Sequence, residues 1–243
     1  MKRTGLVILM VWGLCMGHAQ NEKNLVVDAN AELRNVNSFS SIEVSDAIDL
    51  YISQGNTEAV AISGSTDDIK ARIKTEVRSG TLHIFFDGKG LNWKRWGNNR
   101  MKAYVTYKTL ENLEASGACN VKTTDPIKQN ELKMEMSGAS DFTGEIKVTR
   151  FHLSASGASN IKISGTAANA SFDATGACTI KAYDLITDMC KIDASGASNI
   201  RITVNKELNA SASGGSNILY KGTGLIRDIS SKGGASISRK AVD

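Results

Sequence analysis

Histidine is scarce in this chain. Among 243 residues only His18, His83 and His152 occur, and beyond residue 19 no Cys/His pair stands at metal-ligand spacing, so a structural zinc site lacks its parts and no cofactor is expected. Long apolar runs are missing too: Leu6 to Met16 is too short to span a bilayer, and nothing later is long enough, so no transmembrane segment is expected. Charge of one sign is not in excess. The whole chain carries +4, which falls to +2 without Lys2 and Arg3, a balance that implies no nucleic-acid partner. Cysteine is sparse: beyond Cys15 there are Cys119, Cys178 and Cys190, an odd number that argues against a full disulfide framework in an exported chain. Pro126 is the single proline.

Apolar residues, by contrast, make up 41% of the chain and charged ones 22%, enough for one large or two small domains with a real core. The first residues read as an export signal: Lys2 and Arg3, the apolar run, then Gly17-His18-Ala19 with small residues where signal peptidase needs them. Residues 1–19 are therefore expected to be a signal peptide, with residues 20–35 a flexible lead-in. The protein is expected in the periplasm, on the outer-membrane surface or secreted. Trp12-Gly13-Leu14 before Cys15 lacks the small residues of a lipoprotein cleavage site.

A tetrapeptide recurs: Ser116-Gly117-Ala118-Cys119, Ser137-Gly138-Ala139-Ser140, Ser156-Gly157-Ala158-Ser159, Thr175-Gly176-Ala177-Cys178, Ser195-Gly196-Ala197-Ser198 and Ser213-Gly214-Gly215-Ser216. A decayed copy follows at Gly233-Gly234-Ala235-Ser236. Taking Gly234 as the last glycine, the steps are 21, 19, 19, 20, 18 and 20 residues. Apolar residues alternate on both sides, as in Phe151, Leu153, Ala155 and then Ile161, Ile163, with Lys162, Lys181 and Arg201 in the opposite phase. This is the signature of strands with one buried face. A repeat of about 20 residues cannot bury its own apolar face and must stack on neighbours, which describes a β-solenoid with one repeat per coil. Residues 111–239 are assigned to the repeats and 240–243 to a tail.

Counting by twos from Phe151 reaches Gly157 and Ser159, so the glycine and the last serine share the core-facing phase. Ser140, Ser159, Ser198, Ser216, Cys119 and Cys178 are thus expected to form an inward ladder of small side chains at a coil corner, where glycine permits a tight bend. A sharper bend would flip the phase and expose the serines. Cys119 and Cys178, three coils apart at about 4.8 Å per coil, should lie roughly 14 Å apart and remain unbonded.

Residues 36–110 have another rhythm. Ile42, Val44, Ile48, Leu50 and Ile52 suggest strands, and Val60 and Ile62 continue them. Ile69, Ile73 and Val77 could form a helical stripe, but Ser79-Gly80 leading into Leu82, Ile84 and Phe86 favours a hairpin. This β-rich segment is expected to cap the first coil, whose sheet edge would otherwise be open.

Together, Phe39-Ser-Ser-Ile-Glu-Val-Ser45, Asp49-Leu-Tyr-Ile-Ser-Gln-Gly55, Ile73-Lys-Thr-Glu-Val77 with Gly80-Thr-Leu82, and the Ser-Gly-Ala-Ser series resemble the family of exported proteins called putative auto-transporter adhesin, head GIN domain. The resemblance runs from about Val36 to Arg239. It implies an all-β, right-handed, single-stranded β-helix with about seven coils, and an envelope or surface location. It carries no catalytic residues across.

The repeat is a poor site for chemistry. Two histidines cannot serve six copies as bases, and His152 and Ser156, four residues apart on a strand, are separated by about 13 Å. The run also lacks the lysine of a phosphate-binding loop and leads into a strand rather than a helix. Glu135, Asp141, Asp173 and Asp193 face outward near the corner beside Lys147, Lys181 and Arg201, and read as a solvated face. The most individual stretch is Gly88 to Arg100, where Trp93 and Trp96 interleave with Lys94 and Arg95; it could stack on sugar rings or meet a membrane interface. The leading reading is a non-enzymatic, exported adhesive or structural module with a surface ligand such as a glycan, lipid or matrix protein. A lipid- or envelope-polymer-binding protein and a polysaccharide-active enzyme are the alternatives. A homo-oligomer through the solenoid ends is open, although Arg239 and Lys240 oppose edge pairing at the C-terminal end.

Overall fold

At each Ser-Gly-Ala-Ser copy the chain turns a corner, and the corner stacks directly on the one beneath it. Gly157 has φ +73°, a left-handed conformation that side chains resist. The next residue, Ala158, donates its N–H to the Gly138 carbonyl of the adjoining coil at 2.7 Å. A Cβ on Gly157 would stand 2.3 Å from that same oxygen. Past the turn, Ser159 points inward and donates its hydroxyl to the Ser156 carbonyl at 3.0 Å. Cys119, Cys178, Ser198 and Ser216 close their turns with the same contact to the residue three back.

The structure, a computed structural model, describes residues 28–90 and 100–240. Ser140, Ser159, Ser198, Ser216, Cys119 and Cys178 are all buried. The glycines are not on the core side, as strict alternation would have them: Gly157 lies at the surface, while Ala155 and Ser159 on either side of it both face in. The left-handed residue redirects the chain and interrupts the alternation for one turn. In the last copy the left-handed residue is Gly233 (φ +72°) rather than Gly234. Ser236 pairs with Asn217, which puts Gly233 in the slot of Gly214 and Ala235 in that of Ser216.

Ser140 differs from the other ladder members, for its buried hydroxyl has no hydrogen-bond partner. A buried unsatisfied hydroxyl costs about 1–3 kcal/mol, whereas a satisfied one contributes about 1 kcal/mol. Ser140→Ala is therefore expected to raise the denaturation midpoint and Ser159→Ala to lower it, opposite signs at equivalent sites that equilibrium unfolding will show.

The chain begins its strands with β1 (Glu32–Arg34), β2 (Ser41–Val44), β3 (Asp49–Gln54) and β4 (Ala59–Gly64). A short helix α1 (Asp67–Arg72) follows, capped by the Thr66 hydroxyl, which accepts from Ile69 N–H, and started by Asp67 and Asp68. Next come β5 (Ile73–Arg78) and β6 (Thr81–Phe86), an antiparallel hairpin whose two turn residues, Ser79 and Gly80, both have positive φ. The chain continues through β7 (Met101–Tyr107), β8 (Asn112–Ala115) and β9 (Asn120–Thr123).

Stack order departs from chain order in this part. β2 lies between β6 and β8, and β3 between β7 and β9, all in parallel register. Residues 45–48 form the corner between β2 and β3, and Asp46 and Ala47 there carry positive φ without being glycine. This corner lies under Gly117, so Ser45-Asp46-Ala47-Ile48 is a degenerate copy of the repeat. Beyond β6 and β7 the end of the rod is closed by reversed strands: β5 runs antiparallel to β6, and β4 antiparallel to β7. Residues 32–34, placed by the sequence in the flexible lead-in, instead form β1 along the far edge of β4.

From β10 (Ile127–Met136) onward the coils follow the chain. β11 (Asp141–Ala155), β12 (Asn160–Ala174), β13 (Thr179–Ala194) and β14 (Asn199–Ala212) each run from one corner to the next and pair in parallel with the coil before. β15 (Asn217–Lys221), β16 (Leu225–Ser231) and β17 (Ser236–Arg239) finish a β-solenoid of about seven turns. Like residues stack in the core: Met134, Leu153, Phe172 and Ile192 form one column, and Phe142, Ile161, Ile180, Ile200 and Ile218 another. Cys119, Cys178 and Cys190 are buried and free; for Cys119 and Cys178 this is what one coil per repeat requires. No helix among the described residues is long and apolar enough to cross a membrane.

Candidate functional site

Parallel register converts every outward position into a column of side chains about 4.8 Å apart. Two columns are strongly charged. On the strands leading into the corners, β6, β2, β8 and β10 align His83, Glu43, Glu114 and Glu135, with Thr81, Ser41, Asn112 and Lys133 in the column beside them. The two columns line a shallow groove of about 220 Å³. His83 Nδ1 lies 2.8 Å from Glu43 Oε2, and Lys133 Nζ lies 2.5 Å from Glu135 Oε1. Glu114 stands between two carboxylates, and among the described residues it makes no ion pair of its own. Burial, then the charges of Glu43 and Glu135, push its pKa up.

Because the folded-state pKa of Glu114 exceeds the unfolded one, the native state binds this proton more tightly, and stability falls as pH rises through the carboxylate range. Glu114→Gln removes that loss. It is expected to raise the melting temperature at neutral pH and to change nothing below the unfolded carboxylate pKa, where both forms are neutral; melting curves at the two pH values check this.

The acid column continues through Ser154 to Asp173 and Asp193. His152 Nδ1 lies 3.7 Å from Asp173 Oδ2, and Lys191 Nζ lies 2.9 Å from Asp193 Oδ2. Asp141, grouped with these by the sequence, lies past the corner on another face, where its carboxylate accepts from Asn160 Nδ2 at 3.1 Å. Among the described residues no group of three His, Cys, Asp or Glu side chains converges as a metal site would require.

That other face carries the opposite charge. Lys122, Thr143, Lys162, Lys181 and Arg201 stand one above another on successive coils, and the four cations are exposed. Two residues before them runs a column of Asn120, Asp141, Asn160, Thr179 and Asn199. None of the four cations makes an ion pair among the described residues, whereas Lys147, Arg150, Lys191, Lys206 and Arg227 do. Lys147, which the sequence grouped with Lys181 and Arg201, is instead paired with Glu145 at 3.0 Å.

Trp93, Lys94, Arg95 and Trp96 lie outside the described residues. Gly90 and Arg100, the described residues on either side of them, adjoin β6 and β7 at the capped end of the rod. There Arg72 donates to the carbonyls of Asp87 (3.3 Å) and Lys89 (2.9 Å).

A rod of parallel coils, closed at one end, with a buried ladder of turn-closing hydroxyls and thiols and charged columns outside, defines a single-chain β-solenoid protein. Residues 38–224 match the family described as Putative auto-transporter adhesin, head GIN domain, and the chain belongs to that family. Solved structures share the fold. A putative adhesin from Bacteroides fragilis is 21% identical with a TM-score of 0.79, the match covering 86% of this chain and 96% of that one. A putative lipid binding protein from Parabacteroides distasonis is 22% identical with a TM-score of 0.65, covering 87% and 97%. A putative adhesin from Parabacteroides merdae is 18% identical with a TM-score of 0.67, covering 87% and 95%. No curated protein matches the sequence.

Proposed function

We propose that this chain is an exported, non-enzymatic binding module of the cell envelope, adhesive as its family name states, and that its ligand is an acidic glycan held on the face of Lys122, Lys162, Lys181 and Arg201. The observation that carries the reading is the unpaired cation column. Like charges at coil spacing repel by about 1 kcal/mol per pair even in water, and an anionic polymer laid along the rod offsets that repulsion. Asn120, Asn160, Thr179 and Asn199 supply neutral hydrogen-bonding groups in the neighbouring column, where the one carboxylate, Asp141, accepts from Asn160. The sheet fixes the backbone spacing of both columns, so the ordering cost of binding is confined to the side chains.

The non-enzymatic part of the reading is supported by how the reactive groups are engaged. The hydroxyls of Ser159, Ser198 and Ser216 are buried and donate to turn carbonyls. Burial pushes the thiols of Cys119, Cys178 and Cys190 up, away from the thiolate a nucleophile needs.

The test is retention of the chain from Gln20 onward on immobilised acidic and neutral polysaccharides. Retention on the acidic matrix alone, weakened by salt, is expected. A triple substitution, Lys162→Gln, Lys181→Gln and Arg201→Gln, should weaken it by about tenfold or more. Trp93→Ala with Trp96→Ala should leave it intact; loss in that variant instead places binding on the 88–100 segment and overturns the assignment to this face. Anionic vesicles form a second arm, because one solved neighbour is named for lipid binding, and capture by vesicles alone overturns the glycan reading.

A further inference from the structure

At the end of the rod away from β4 and β5, the last coil has a neighbour on one side only among the described residues. Its core-facing residues lie open: Ile226 stacks on Leu208 and is 46% exposed, and Ile229 stacks on Ala210 and is 38% exposed, although Leu208 and Ala210 are buried. Arg227 is the extra residue of a bulge, which is why two isoleucines three apart both continue the core. The outer edge of β16 therefore presents backbone donors and acceptors beside an apolar ledge.

The sequence along that edge, Leu225-Ile226-Arg227-Asp228-Ile229, is complementary to itself when reversed. Set antiparallel to a second β16 about a two-fold axis between Arg227 and Asp228, it places Ile226 opposite Ile229 and Arg227 opposite Asp228, each pair twice. Shifting the axis onto either charged residue puts Arg227 against Arg227, or Asp228 against Asp228, which costs energy across a strand pair. We propose that a second copy of this chain covers the open end, joined by antiparallel pairing of the two β16 strands in that register.

The side chains are placed to allow it. Arg227 Nε lies 3.2 Å from Glu207 Oε2, while Asp228 makes no ion pair among the described residues and is available to Arg227 of the second copy. Arg239 and Lys240, which the sequence set against pairing at this end, are engaged within the chain. The Arg239 guanidinium lies 5.4 Å from the Tyr220 ring centroid and donates to the Gly224 carbonyl at 3.1 Å; Lys240 Nζ lies 5.8 Å from the Tyr183 ring centroid. The two-fold uses the same β16 edge on both copies, so this interface closes at two copies instead of growing into a fibre.

Sedimentation equilibrium of the chain from Gln20 onward should give twice the monomer mass. Asp228→Arg alone and Arg227→Asp alone each set like charges face to face twice, and each should give the monomer mass. Mixing the two variants makes the charges complementary again and should restore the doubled mass, a recovery that a misfolded variant cannot show. A wild-type chain that stays monomeric at its highest soluble concentration overturns the proposal. So does a dimer that survives either single substitution, or a mixture that remains monomeric.

Discussion

Replacing Gly157 with alanine should destabilise the protein by about 2–6 kcal/mol, although the residue is at the surface. Two penalties add. An L-residue held at positive φ costs about 1–3 kcal/mol. The new methyl would also stand 2.3 Å from the Gly138 carbonyl oxygen, which is backbone and already accepts the 2.7 Å hydrogen bond from Ala158. Relieving that overlap means parting two coils, at about 1–3 kcal/mol for overpacking of this kind. Gly215 is the control: a Cβ there comes no closer than 3.7 Å to another atom, and Ala118, Ala139, Ala158, Ala177 and Ala197 fill the same place in other corners. Gly215→Ala should be neutral or gain a few tenths of a kcal/mol from a stiffer unfolded chain. Urea midpoints of the two variants measure the contrast.

Phe172→Ala should cost as much, about 3–5 kcal/mol. The ring is fully buried and meets Phe151 edge-on, centroids 5.8 Å apart at 74°. In most cores, part of the loss is recovered when neighbours collapse into the space. Here the coils above and below are held apart by parallel hydrogen bonds on both sides of β12, from Phe151 in β11 to Ile192 in β13, so the cavity persists. Ile186, half exposed on the rod's flank, is the comparison, and Ile186→Ala should fall within about 0.5 kcal/mol of wild type. Equal losses at both positions would mean that the core is not closely packed around Phe172.

Much of the fold was legible because one local event recurs. A left-handed glycine followed by an inward small residue leaves the same trace each time, and cysteine at positions 119 and 178 pointed to a buried slot, although a sharper bend exposing the serines stayed open in the sequence. The direction of the glycines was not legible, since counting by twos assumes a strand that runs straight through the corner. Two further features were hidden by departures from sequence order. Ser45-Asp46-Ala47-Ile48 is a corner with aspartate and alanine in left-handed positions, and it lies between coils that come later in the chain. The bulge at Arg227, which brings Ile226 and Ile229 to one side, leaves no mark in the periodicity.

The site was legible in pieces. Lys162, Lys181 and Arg201 read as outward from their phase alone, but Lys122 joins them only through Thr143, and that column becomes visible once register is known. Glu135, Asp173 and Asp193 do share a column, whereas Asp141 is separated from them by a corner. The acidic groove at Glu43, Glu114 and His83 joins residues from three strands far apart in the chain, and no local motif announces it.

The reversed strands at one end give the molecule a direction in time as well as in space. Every coil leans only on its two neighbours, so loosening spreads as it does along a zipper, from whichever end is easier to start. At the β4 and β5 end a starting opening must first peel away strands of the wrong sense, with α1 tucked between them. At the β16 end it needs to lift a single coil whose strand is exposed along its whole length. An isolated chain therefore frays from its C-terminal tip inward, and backbone amides there exchange with solvent soonest.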